Sequence, residues 1–318
     1  MTIKSVLKFT VLGAFLSLGL TANAQESHFS QYYYAPMNLN PAMTGVFDGQ
    51  YRVGVNYRDQ WSSVPDAYKT MGFVADANFR KLGAGVNIVN TSAADGTVER
   101  LNATAGLSID LSEPTASNHF IMGFSGGILQ NTLNGNKIIL EDGSSPASES
   151  NTDVDFSLGA MWFNGDNGTK MLPFLGASVS HINGPDNSFT GAGMEMPMRS
   201  TVHGGVRIQA NNRLDITPHA NFTFQGGARN MIIGTYVTYT MNNFGSHIMA
   251  GAMYRVEDSF TPYFGLKINN VQAGLSYDFN TSSLNDVIQD ASSLELSLQY
   301  IIPNRKYQRV YTLSLIHI

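Results

Sequence analysis

The residues best able to do chemistry in this sequence are scattered. His28, His119, His181, His203, His219 and His247 form no His-x-x-x-His pair for a metal, and no Gly-x-Ser-x-Gly elbow presents a nucleophile. His119, His203 and His247 each have serine neighbours, as a phospholipase built on a membrane barrel would need. In a serine-rich chain such neighbours arise by chance. Glu141, Asp142, Glu149, Asp153 and Asp155 offer hard oxygens for calcium. They lack EF-hand spacing and read as a solvated loop. Cysteine is absent, which removes disulfides, thiolate metal sites and a lipid-modified N-terminal cysteine. The sequence therefore points to no catalytic residue, no metal site and no cofactor.

Two charges stand out for their placement. In "YRVGVNYR", Tyr51, Val53, Val55 and Tyr57 alternate with Arg52, Gly54, Asn56 and Arg58. Period-two patterning marks a strand with one apolar face, so both guanidinium groups face away from the apolar side and must meet water or an acceptor. The same alternation sets Val271, Ala273, Leu275, Tyr277 and Phe279 against Gln272, Gly274, Ser276, Asp278 and Asn280. It recurs at Leu294, Leu296, Leu298 and Tyr300, opposite Ser293, Glu295, Ser297 and Gln299.

Such segments number roughly fourteen, each about ten residues long, which suits tilted strands crossing an outer membrane. Charged residues are 14% of the chain, against about 25% in ordinary soluble domains. The expected fold is all-β: a transmembrane antiparallel β-barrel over 51–301. A secreted sandwich or propeller would alternate too, but would carry more charge. The connections alternate between tight ones, such as Asn211-Asn212 and Asn269-Asn270, and long ones at 132–152, 183–199 and 281–291. With an even strand count this places both termini in the periplasm. Tyr51, Trp61, Tyr68, Phe79, Phe120, Trp162 and Phe163 lie near strand ends, where an interfacial aromatic girdle would sit.

Residues 1–24 read as a cleaved export signal, with Lys4 and Lys8 before a short apolar run and Ala22-Asn23-Ala24 as the cleavage box. Cleavage would leave a net charge of about −7 and no basic run, which argues against nucleic acid as a partner. At the other end, 302–312 is expected to be a periplasmic tail. "LSLIHI", 313–318, reads as a sequencing or assembly scar, so that the gene would continue beyond about Thr312.

Between signal and barrel lies a pre-barrel segment, 25–50, containing "HFSQYYYAPMNLNPAMTG". Pro36 and Pro41 exclude a long regular helix and a central strand. Phe29, Tyr32, Tyr33, Tyr34, Met37 and Leu39 are too much apolar surface to leave in water. The segment is expected to be ordered, to fold against the periplasmic mouth or enter the lumen, and to be met there by Arg52 and Arg58.

This stretch, followed by "YRVGVNYRDQW", resembles the N-terminal signature of the PorP/SprF family of Bacteroidetes outer-membrane proteins. The matching positions include His28, Phe29, Ser30, Gln31, Asn40, Pro41, Ala42, Gly45, Arg52, Asn56, Tyr57, Arg58, Gln60 and Trp61. Near the C-terminus Tyr277, Asp278, Leu284, Glu295, Leu296 and Leu298 resemble that family's closing strands. The resemblance implies a non-enzymatic component or accessory of type IX protein secretion and gliding in the cell outer membrane. Its implied partners are the secretion machinery, secreted adhesins or enzymes, and outer-membrane lipid. His28, Phe29, Ser30, Gln31, Tyr32, Asn40, Pro41, Arg52, Arg58, Gln60 and Trp61 are the candidates for contact with a partner or plug. A polar lumen alone would equally suit a passive outer-membrane diffusion channel.

Overall fold

The computed structural model describes residues 26, 28–64, 67–113, 115–140, 142–166, 168–241, 246–282 and 291–303. The export signal, the tail beyond 303, the terminal scar, Glu141 and Leu284 lie outside them.

Fourteen antiparallel strands close into one barrel, each paired with its neighbours in sequence: β1 (Tyr51–Gln60), β2 (Tyr68–Phe79), β3 (Leu82–Ala93), β4 (Val98–Asp110), β5 (Asn118–Leu133), β6 (Glu149–Asn164), β7 (Met171–Ser180), β8 (Arg199–Asn211), β9 (Leu214–Gln225), β10 (Ala228–Thr240), β11 (His247–Arg255), β12 (Ser259–Ile268), β13 (Val271–Asn280) and β14 (Ser293–Ile302). The barrel shuts where β1 meets β14, in register from Tyr51 opposite Ile302 to Gln60 opposite Ser293. Closure leaves no edge to satisfy in lipid, the condition any sheet must meet to span a membrane. Among the described residues no helix is long and apolar enough to cross one.

The alternation sorts side chains as the sequence indicated. Val53, Val55, Leu275, Leu296 and Leu298 point outwards, whereas Arg52, Asn56, Arg58, Gln272, Asp278, Glu295 and Gln299 are buried inside. Two-residue turns at 80–81, 212–213 and 269–270 share one mouth, and β5, β7 and β13 end at the other, where the longer connections begin. Gly226-Gly227, also at the second mouth, is tight because both residues adopt positive φ, at 55° and 85°. Pro262 has no N–H to donate, and the β12–β13 ladder skips from Phe260–Phe279 to Tyr263–Ser276 around it.

Three aromatics depart from the girdle expectation. Phe163 is fully buried inside the barrel, stacked on His119 with ring centroids 4.8 Å apart. Trp61 and Tyr68 sit together at the mouth with the long connections, in edge-to-face contact at 5.5 Å. Phe163 occupies an odd position in a strand whose inward face is odd-numbered, so strand parity outranked its nearness to an end.

Candidate functional site

The lumen is occupied by the chain's own N-terminal segment. Residues 29–47 are almost all buried. Their path runs from the mouth with the long connections, where Ser30 meets Arg58 near the end of β1, to the opposite mouth, where Gly45 meets Asp76. Three single turns form within it, at Tyr32–Tyr34, Pro36–Leu39 and Pro41–Met43. The prolines do not forbid these turns. Each opens one, at a position where its missing N–H costs nothing. Asn40 between them is extended, as the residue before a proline should be, and its side chain caps the third turn by accepting from the Ala42 N–H at 2.9 Å.

Ser30 and Gln31 anchor the segment to four strands. The Ser30 and Gln31 backbone N–H groups donate to the two Glu295 carboxylate oxygens at 2.7 and 2.9 Å. The Ser30 hydroxyl accepts from Arg58 at 2.7 Å and Arg255 at 2.8 Å, and donates to Asp278 at 2.8 Å. Arg58 also pairs with Asp278 at 2.7 Å and Glu295 at 3.2 Å. Every one of these charges is buried, so each depends on the others and on the segment for its solvation.

A second anchor holds Glu26. Its carboxylate pairs with Arg199 and, at 3.1 Å, with His181, whose other ring nitrogen meets Asp155 at 3.0 Å. Arg199 also donates to the Asn38 carbonyl at 2.9 Å. Burial alone would push the Glu26 carboxyl up, but the Arg199 and His181 cations outweigh it and hold it well below the usual carboxylate range. Burial works against the charged imidazole too, yet Glu26 and the bond to Asp155 push His181 up to about 9.

Tyrosine rings fill the middle. Tyr33 packs edge-to-face on Phe174, His219 and Tyr236, and the Tyr34 hydroxyl meets that of Tyr263 at 2.9 Å. Tyr32 bonds the His219 ring through its hydroxyl. Phe29 packs with Ala35 and Val89. Asn40 reaches His203 at 3.1 Å and the carbonyl of Ala160 at 3.1 Å. Gly123 lets the chain pass, since a Cβ there would strike the Pro41 and Ala42 backbone.

Arg52 and Arg58 both meet the segment, as the sequence suggested, but through different partners. Arg58 grips the Ser30 hydroxyl, while Arg52 pairs with Asp76 at 2.6 Å and stacks on the Phe47 ring, leaving Asp76 to accept the Gly45 N–H at 2.7 Å. Gln60, Trp61 and His28 lie at the mouth with the long connections, lining a cavity. Sequence reasoning passed over Glu26, Asp76, Arg199, His203, His219, Arg255 and Tyr263. The signal that could have found several of them is a charged or aromatic residue at an inward strand position, where plain water-facing residues would suffice. Among the described residues no cluster of side chains suits a metal ion.

A closed, fully antiparallel 14-stranded barrel with an apolar exterior defines an outer-membrane protein. The chain belongs to the PorP/SprF family: the family described as type IX secretion system membrane protein PorP/SprF matches residues 21–300. Solved barrels share the fold alone. The Ralstonia pickettii toluene transporter TbuX is 10% identical, with a TM-score of 0.52 over 84% of this chain and 93% of that one. A Pseudomonas aeruginosa FadL homologue is 13% identical, with a TM-score of 0.46 over 82% and 92%. No curated protein matches the sequence.

Proposed function

We infer that this member of the family is a non-enzymatic accessory of type IX secretion, supporting export or surface attachment of particular secreted partners. The reading takes the family for its system and one observation for its mode of action: the lumen is filled by a segment held through buried, charge-assisted bonds. A passive diffusion channel has no use for such an anchor, whereas an accessory that docks partners needs a closed barrier and an ordered surface. His28, Gln60 and Trp61 at one mouth are the residues placed to meet a partner. The orientation follows from the short turns being periplasmic, so the mouth with the long connections faces the exterior.

Deleting the gene tests this. Outer-membrane integrity should survive while one or a few exported proteins remain in the periplasm. Unchanged secretion together with lost small-solute uptake would transfer the assignment to the channel. An epitope inserted in 183–199 should be reached by antibody on intact cells and one at Asn269-Asn270 should not. The reverse pattern rejects the orientation.

A further inference from the structure

Between the start of the N-terminal segment and the inner wall of β1 to β5 lies a cavity of about 350 Å³. Small-ligand sites span roughly 300–1,000 Å³, so this one would admit a molecule of modest size. Gln60, Trp61, Tyr68, Arg100, Asn131 and His28 are among the residues that line it.

The lining carries one cation, Arg100. Arg100 donates from Nε to the Asn131 Oδ1 at 2.9 Å and from one terminal nitrogen to Asn187 Oδ1. It forms no ion pair with a carboxylate among the described residues. Glu26 at the cavity edge is paired with Arg199 and His181, and the Arg100 charge acts on it from a greater distance. Asn131 is only 1% exposed, and its Nδ2 has no hydrogen-bond partner. His28 Nε2 is also without one. Polar atoms left buried in this state cost free energy that a ligand group bonding them would recover.

The other wall is aromatic. Trp61 and Tyr68 stand at 79° to each other, and Tyr68 is 39% exposed. Trp61 is held there by a left-handed backbone, φ 58°, which a bulky residue adopts only when its surroundings impose it.

We propose that this vestibule binds an acidic saccharide, a short glycan carrying a uronate carboxylate. The C–H faces of a pyranose pack on the two rings, which are apolar bodies with polar tips. Its hydroxyls, acceptors and donors at once, meet Asn131, Gln60 and His28. The carboxylate takes the unpaired side of the Arg100 guanidinium, a charge-assisted contact. A fatty acid would leave the amides unpaired. Because His28 belongs to the N-terminal segment, an occupant touches that segment directly.

Trp61 and Trp162 are the two tryptophans of the chain, so a Trp162→Phe background makes the emission of Trp61 a reporter of the vestibule. The full chain in detergent is titrated with cellobiouronic acid and with cellobiose, and calorimetry is run in parallel. The acid should give a saturable change at a concentration at least about tenfold below the neutral sugar. Arg100→Gln should abolish that preference and Arg100→Lys, which keeps the charge, should retain it. Asn131→Leu should weaken both sugars. Heat-modifiable migration on gels identifies any variant that fails to fold. No saturable response by either method, equal response to both sugars, or a preference that survives Arg100→Gln overturns the proposal.

Discussion

Replacing Ser30 by alanine removes one hydroxyl and nothing from the barrel wall. That hydroxyl makes three bonds to charged partners, Arg58, Arg255 and Asp278, all between 2.7 and 2.8 Å. Hydrogen bonds to charged groups contribute about 1.5–3 kcal/mol each. The full sum does not apply, because Arg58 keeps its pairs with Asp278 and Glu295 once the hydroxyl is gone. A loss of about 2–4 kcal/mol in the docking of the segment is the reasonable expectation. Since about 1.4 kcal/mol is tenfold in population, the released state should rise about 25- to 700-fold. The chain has no cysteine, so Ala35→Cys provides a clean reporter at a position 5% exposed within the segment. Its reaction with a membrane-impermeant maleimide in proteoliposomes follows the released fraction when opening is fast relative to labelling. Ser297→Ala is the control, because the Ser297 hydroxyl accepts from Asn56 at 2.8 Å and bonds nothing in the segment among the described residues. A labelling rate within about twofold of the parent, with the barrel intact, would refute the idea that this hydroxyl network holds the segment in place.

Other measurements reach other parts of the same architecture. A histidine titration by NMR should show one imidazole near pH 9 that disappears in His181→Gln. Because the folded value lies above the unfolded one, His181 contributes stability that is complete below about pH 6.5 and is lost as pH rises through about 9. Protease sensitivity of the segment should therefore grow across that window in the parent and stay flat in His181→Gln. Gly123→Ala should displace the segment without harming strand pairing, seen as faster labelling of the Ala35→Cys reporter at unchanged barrel stability. On the lipid face, Leu296→Arg should cost about 2–4 kcal/mol if it lies near the midplane, by urea unfolding in vesicles, and Leu296→Phe much less. Equal costs would contradict the strand register.

The barrel was legible because its signal is local. Alternation needs only neighbours in sequence, and it placed Arg52 and Arg58 inside and Leu275 and Leu296 outside as the structure has them. The interior was less legible because its bonds are long-range. Ser30 meets Glu295 across 265 positions, and nothing near either residue names the other. A polar inward face suggested a water-filled lumen. Ser297 is 4% exposed in a packed interior, so a guanidinium there would have to displace its neighbours. Trp61 and Tyr68 were misplaced for a different reason. Strand ends serve both interfaces and mouths, and composition does not tell lipid from lumen.

The direction of the luminal segment constrains the order of assembly. Glu26 lies at one mouth and Tyr51 starts the wall at the other, so residues 28–47 run through the ring that the rest of the chain forms, and Glu26 does not share the periplasmic mouth that the even strand count alone assigned to the N-terminus. Their principal holdfast, Asp278 and Glu295, sits on β13 and β14, the last strands to be made. Closing so long a loop is entropically slow, and the docking site exists only once β14 has reached β1. A barrel that stops short of its final strands would therefore leave its N-terminus unheld and its tyrosines in water, where proteases and chaperones act. Occupancy of the lumen is in this sense a record that the ring has closed, and any extension fused before Glu26 has to be threaded through or presented at the far mouth.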